Sequence, residues 1–365
     1  MRLLHLADLH LDRAFGGLSF TGCDGARRRE LLRRSLEWAV DTAEGGNADA
    51  MTIGGDLFEL EHVTADTVAF ITRQLGRLSC PVMIASGNHD FASAASPYRV
   101  ATWPPNVVLA IEPKPTVVDL QGAVLIGLGY TGKDMDRSVL DRIPPRGSDD
   151  RPRLLLVHGV DLDSAGDELK WGGLTLRHED FERTGIDHAL LGHVHAGEVG
   201  ERSSWPGSPV PLDPGETRGL HGAVWVEVSD GRVVTSPVAA DLARFETVVV
   251  DVSEIADSSE LSGAVGAALQ PLQGSPSLVV LRLTGRRTRS LDIKADALAS
   301  AWCESVLGLA IADSTSAEVD LQELAREPTA RGAAINHLLE DGSPQGLLAA
   351  RLVAEAFEGD LKVPA

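Results

Sequence analysis

The chain has 365 residues, 43% of them hydrophobic, and its 53 Asp and Glu outweigh 33 Lys and Arg for a formal net charge of −20. That length exceeds one ordinary core and argues for about two domains; the acidic balance argues against a subunit that grips long duplex DNA alone, since phosphate binding rests on clustered Lys and Arg. No apolar run approaches the roughly 20 residues of a bilayer span, and Cys23, Cys80 and Cys303 are too scattered for a disulfide framework or thiolate zinc site, which points to a reducing cytoplasm.

The apolar start is broken by His5, Asp8 and His10, so residues 2–7 read as a buried first strand and not as a signal peptide. Residues 25–46 follow as a helix with Leu32, Leu36, Ala39 or Val40, and Ala43 on one face. Residues 50–54 are the next strand, 64–78 the next helix with Thr64 as its N-cap, and 82–86 a third strand. Runs at 107–111, 116–120 and 123–129 read as neighbouring strands, and 153–157, 189–191 and 222–228 continue the pattern. The stretches 143–153 and 160–173 read as loops. Strands alternating with helices early, and strand-rich sequence later, predict an α/β sandwich with mixed central sheets flanked by helices over 1–240.

The character changes near Ala240. A strand at 245–252, a helix at 258–272 and a strand at 278–284 are followed by mostly helical sequence after Leu291. Residues 241–365 therefore read as a smaller α/β domain. Its last helix, 346–357, carries Leu348, Leu352 or Val353, and Phe357 at helical spacing, either packed on its own domain or offered to a partner. Arg27, Arg28, Arg29, Arg33 and Arg34 form one basic cluster, and Arg286, Arg287 and Arg289 another; each reads as a solvated helix face or strand end.

Chemistry-bearing residues recur at the predicted strand ends. Asp8 and His10 stand in A-D-L-H, Asp56 in G-G-D-L-F, Asn88 in G-N-H-D, His158 in L-L-L-V-H-G, and His193 with His195 in L-L-G-H-V-H. In α/β folds ligands gather beyond the carboxyl ends of strands, so one address serves all seven. Residues two apart on an extended segment face the same side, which would bring Asp8 with His10, and His193 with His195, into one pocket. A carboxylate can hold two cations, so Asp56 is the natural bridge, and Asn88 adds a neutral oxygen. Imidazole and oxygen donors without thiolates suit Mn, Fe or Zn. Two such ions activate a water for attack on a phosphoryl group. His89, beside Asn88, is placed to donate a proton to the leaving oxygen, with Asp90 holding its ring. The other histidines read as surface or core. Trp171 is either a plain loop residue or a platform for a base.

Taken in order, these five motifs resemble the calcineurin-like metallophosphoesterase superfamily. A-D-L-H-L-D at 7–12 with F-G-G-L at 15–18, and W-P-G-S-P-V-P-L-D-P-G-E at 205–216, are similar to the SbcD/YhaO branch of DNA repair exonucleases. The likeness covers about 1–240, with a capping domain beyond. It implies one metal on Asp8, His10, Asp56 and His195, another on Asp56, Asn88, His158 and His193, and His89 as the catalytic histidine. It further implies a preference for manganese, cleavage of phosphodiester bonds in DNA, and work beside an SbcC-like coiled-coil ATPase subunit. A second copy of the chain is a further partner, and a membrane is not. The rivals are a phosphatase or phosphodiesterase for a nucleotide or phosphoprotein, and a non-catalytic subunit that binds DNA ends.

Overall fold

Arg2–Leu6, Ala50–Gly54 and Val82–Ala85 are apolar runs, and they fold into strands buried along nearly their whole length. Parallel strands covered on both faces require such composition. The computed structural model describes residues 1–165, 173–288, 290–318 and 320–358; Trp171 and Arg289 lie outside the described residues. The chain divides into two units, one of residues 1–19 and 23–245, the other of 20–22 and 246–365.

In the first unit a six-stranded sheet runs in the order Arg232–Ala239, Gly222–Ser229, Arg2–Leu6, Ala50–Gly54, Val82–Ala85, Val107–Ala110. Its last four strands are mutually parallel, with Leu4 opposite Met51 and Ile53 opposite Ile84. Gly222–Ser229 joins Arg2–Leu6 antiparallel, so the sheet is mixed. A second mixed sheet orders Glu198–Val199, Ser203–Trp205, His188–Gly192, Arg153–Asp161, Val124–Gly127 and Thr116–Asp119, with Leu174–Leu176 on the far end of Arg153–Asp161.

The two sheets share a core. Leu3, Ala50, Met83 and Val224 of the first pack with Leu125, Leu154, Leu156 and Leu190 of the second. Alternate residues of the second sheet (Ile126, Leu155, Val157, Leu191) face the other way, onto Val139, Leu140 and Phe181 of two short helices. The helix Gly25–Gly45 buries Leu31, Leu32, Leu36, Ala39 and Val40, and Asp24 caps its start. Ala65–Leu75 is capped by Thr64, whose hydroxyl accepts from the Thr67 amide, the expected device for a free helical N–H.

The strand with His158 differs from expectation. It runs on through Asp161, because Gly159, Val160 and Asp161 pair with Leu174, Thr175 and Leu176. Gly159 permits that approach: a Cβ there would lie 2.4 Å from the Leu174 carbonyl oxygen. His158 is therefore within a strand and not at its end, and the stretch after Val160 opens as strand and not as loop.

The second unit is built on a three-stranded sheet of Arg244–Asp251, which enters it at Glu246, with Ser277–Thr284 and Gly308–Asp313. Within the mostly helical sequence after Leu291, Gly308–Asp313 is a strand; it lies parallel to Ser277–Thr284, with Leu309 opposite Val279, and completes the apolar core. Thr21 exchanges backbone hydrogen bonds with Leu309, which places Phe20–Gly22 in this unit. Three terminal helices, Leu321–Ala325, Ala330–Glu340 and Pro344–Glu358, gather around Leu321, Leu324, Ile335, Ala350 and Ala354. The last helix thus buries Ala350 and Ala354, while Leu348, Leu352 and Phe357 stay 59%, 46% and 62% exposed. No described helix is long and apolar enough to cross a membrane.

Candidate metal centre

Four residues of the expected ligand set have left-handed backbone: Asp8 (φ 56°), His10 (46°), Asp56 (51°) and His193 (90°). Side chains beyond Gly rarely adopt it, at about 1–3 kcal/mol each, and it persists where the surroundings over-determine it. Here two loops zip together: Asp8 N donates to Gly55 O (3.1 Å), His10 N to Asp56 O (2.9 Å) and Leu11 N to Leu57 O (3.1 Å). The His193 amide lies 3.0 Å from both oxygens of Asp8. Asp8 and His10 therefore do not share a face by strand alternation. The first strand ends at Leu6, and left-handed residues alternating with buried Leu9 and Leu11 turn both polar side chains inward.

All seven residues converge. His10 Nε2 lies 3.2 Å from His195 Nε2, and His193 Nδ1 lies 3.2 Å from His158 Nε2 and 3.3 Å from Asn88 Oδ1. Asp56 Oδ2 sits between the pairs, 3.6 Å from His10 Nε2 and 3.3 Å from His158 Nε2. Ligand atoms of Asp8, His10 and His195 lie within 4.8 Å of one another, as do those of Asp8, Asp56 and His158. The approach of Gly87 is equally close: a Cβ there would stand 2.2 Å from Asp56 Oδ1.

The outward ring nitrogens decide what the inward ones can do. His10 Nδ1 donates to Glu59 (2.8 Å), His158 Nδ1 to the Gly54 carbonyl (2.9 Å), and His195 Nδ1 to Glu216 (2.9 Å). Each acceptor fixes the proton on Nδ1 and leaves Nε2 with its lone pair aimed at the centre. Two buried carboxylates and three such lone pairs at van der Waals range repel unless a cation lies among them, so the donor set fits divalent metal ions. Without one, protons take that place. Burial opposes charge on His158, but Asp56 outweighs it and pushes the imidazole up to about 9. Burial likewise opposes ionisation of Asp56, and His158 and His10 still hold it well below the usual carboxylate range.

His89 stands at the rim, with its side chain 42% exposed. Its Nδ1 donates to Glu59 Oε2 at 2.9 Å, and that bond raises its pKa against the opposing effect of burial. The expected partner, Asp90, does not touch the ring. Asp90 is wholly buried and accepts from the amides of Asp56, Leu57 and Gly87 and from Tyr98 Oη (2.6 Å). It braces the loops that carry Asp56 and Asn88, because its side chain points back under its own turn while Glu59 reaches across. Glu59 and Glu216 were not foreseen as partners. Their signal is position: Glu59 is three residues after Asp56, and Glu216 closes the P-G-E of the segment at 205–216. Tyr130 also contributes, donating to His158 O (2.9 Å) and accepting from Leu174 N (2.8 Å).

Residues 1–197 match the family described as calcineurin-like phosphoesterase. The chain is 27% identical over 304 residues to the Bacillus subtilis (strain 168) protein called "Uncharacterized metallophosphoesterase YhaO", covering 78% of this chain and 72% of that one. It is 22% identical over 314 residues to the SbcD component of the nuclease SbcCD of Escherichia coli (strain K12), covering 71% and 75%. A shorter stretch of 95 residues is 35% identical to "DNA double-strand break repair protein Mre11" of Aeropyrum pernix, covering 25% and 22%.

Proposed function

This chain belongs to the calcineurin-like phosphoesterase family, and from that premise we propose that it is a metal-dependent phosphodiesterase acting on DNA, a nuclease of the SbcD/YhaO kind. The observation that carries the reading is the tautomer lock on His10, His158 and His195, which turns three lone pairs onto Asp56 and Asp8. Asp8, His10, Asp56 and His195 would hold one divalent ion, and Asp56, Asn88, His158 and His193 the other, with manganese first and iron or zinc as substitutes. Bound together, such ions neutralise phosphoryl oxygens and lower the pKa of a water to a nucleophile's range.

The remaining work falls to the chain itself. Glu59 holds the His89 ring with Nδ1 protonated, and on this half-exposed side chain Nε2 would be the nitrogen that meets a leaving oxygen. The raised pKa of His89 favours the protonated ring that a transfer to that oxygen needs, an effect worth roughly 10²–10⁴ in rate. A nucleotide or phosphoprotein phosphatase would use the same residues. The exposed apolar face of Pro344–Glu358, with Leu348 and Leu352, favours a chain that docks a partner, and an SbcC-like coiled-coil ATPase suits both the relatives and the net charge of −20.

The test is digestion of end-labelled linear duplex DNA with manganese by wild type, Asp56→Asn and His89→Ala, beside a small phosphodiester. Shortening of the DNA by wild type, lost in both variants, is the expected result. Hydrolysis of the small diester alone, even with the partner ATPase and ATP added, would move the substrate to nucleotides.

A further inference from the structure

The Arg13 guanidinium lies beside the centre and takes no part in the ligand set. Its amide donates to the His10 carbonyl (3.0 Å), so it sits in the turn immediately after that residue. Its side chain joins two carboxylates: Nη1 is 3.4 Å from Glu59 Oε1, and Nη2 is 3.1 Å from Asp213 Oδ2. The two ends differ. Glu59 is 14% exposed and also bound to His10 and His89, whereas Asp213 is 64% exposed. We propose that Arg13 is a phosphate-binding residue for the nucleotide next to the scissile bond, and that Asp213 holds its place until that phosphate arrives.

Three observations support the exchange. The loop bearing Asp213 does not depend on Arg13: Ser208 N donates to His195 O (3.0 Å), Leu212 N to Glu216 (2.7 Å), and Arg28 to Leu212 O (2.6 Å). An exposed ion pair is weak, while guanidinium and phosphate form charge-assisted, often bidentate bonds, so phosphate is the better partner. Finally, Glu59 lies between Arg13 and His10, which sets the guanidinium one layer outside the converging donors. In this proposal it takes a neighbouring phosphate, while the converging donors serve the one under attack. The inference rests on the phosphodiesterase reading and narrows its substrate to esters that carry a second phosphate, as a polynucleotide does.

Binding is measured without turnover, by fluorescence anisotropy of labelled oligothymidylate in EDTA, for the full chain and for Arg13→Ala, Arg13→Lys and Asp213→Asn. Arg13→Ala should weaken binding about tenfold and flatten the slope of log Kd against log salt by about 0.7, one single-strand phosphate contact. Arg13→Lys should recover part of the loss. Asp213→Asn should tighten binding about threefold, with an unchanged thermal midpoint. A latch that only holds the loop gives the opposite sign, since Asp213→Asn would then weaken binding along with Arg13→Ala; that result, or Arg13→Ala binding like wild type, overturns the proposal. Manganese-dependent hydrolysis of bis(p-nitrophenyl) phosphate by wild type tests the underlying reading separately, because a silent centre would leave the opposed binding effects in place.

Discussion

Glu59 Oε2 stands 2.9 Å from His89 Nδ1, and the same carboxylate's other oxygen stands 2.8 Å from His10 Nδ1. One side chain thus orients a candidate ligand and the candidate proton donor together. Replacing Glu59 by Gln offers one of them an N–H where it needs an acceptor. Turnover of a phosphodiester should fall about 10–100-fold. His89 should also lose the bond that raises its pKa, so the alkaline limb of the pH–rate profile should move to lower pH. An unchanged profile with reduced rate would assign Glu59 to His10 alone.

Protons and metal compete at His158. In the metal-free protein its pKa stands at about 9, above the unfolded value near 6.5. Stability from that charge is complete below pH 6.5 and lost as pH rises through 9. Metal-free protein should therefore soften toward denaturant between pH 6.5 and 9. Saturation with manganese at pH 7.5 should release protons, visible as a buffer-dependent heat in Tris and HEPES. Equal heats in the two buffers would contradict this.

His5 and His188 respond to acid in the opposite direction. His5 Nε2 donates to Leu191 O (2.9 Å) and Nδ1 accepts from Thr52 Oγ1 (3.0 Å); His188 Nδ1 donates to Glu201 O (3.2 Å) and Nε2 accepts from Ser204 Oγ (3.0 Å). Both are satisfied as neutral rings, and burial pushes both down to about 4. The unfolded chain takes up these protons first, so stability is full above pH 6.5 and declines toward pH 4, by about 2 kcal/mol per histidine at pH 5. Urea midpoints at pH 7.5 and 5 measure the loss, and His188→Gln should remove about half of it.

At Gly87 an added methyl would meet Asp56 Oδ1 at 2.2 Å and Asp56 N at 2.8 Å. Gly87→Ala should displace the Asp56 carboxylate, weaken metal binding by about 100-fold, and cost about 1–3 kcal/mol of stability. Calorimetric titration with manganese beside a thermal melt separates the two effects. Normal metal affinity would mean that the loop yields without moving Asp56.

The last helix separates packing from docking. Ala350 and Ala354 are fully buried, so Ala354→Leu should overpack the terminal helices and cost about 1–3 kcal/mol. Leu348→Glu and Leu352→Glu lie on the exposed face and should shift stability by no more than about 0.5 kcal/mol. If the latter pair lowers the melting point as much as Ala354→Leu, the outward face is not free for a partner.

Much of this centre was legible because its residue types are rare and its motifs short: Asp8, His10, Asp56, Asn88, His158, His193 and His195 meet in one place. The mixed sheets followed from apolar runs and breakers. What escaped depends on distance along the chain. Glu59 meets His89 from 30 residues away, and Glu216 meets His195 from 21, so neighbourhood in sequence favoured Asp90 instead. The end of the His158 strand was hidden because its continuation is set by pairing with Leu174–Leu176. Gly308–Asp313 is short, and only its place beside Ser277–Thr284 makes it a strand. The left-handed turns at Asp8 and His10 leave only a weak propensity signal, since Asp and His visit that region more than most residues but far less than Gly.

Those turns have a kinetic consequence. Asp8, His10, Asp56 and His193 are wound into their uncommon conformations alongside backbone bonds such as His10 N to Asp56 O, which are made between protein groups and call on no metal. If those bonds hold the cage by themselves, an incoming cation should have no loop to fold. Uptake should then be a single phase governed by how fast the ion sheds its water and displaces the His158 proton, and exchange between free and bound metal should be slow on the same account.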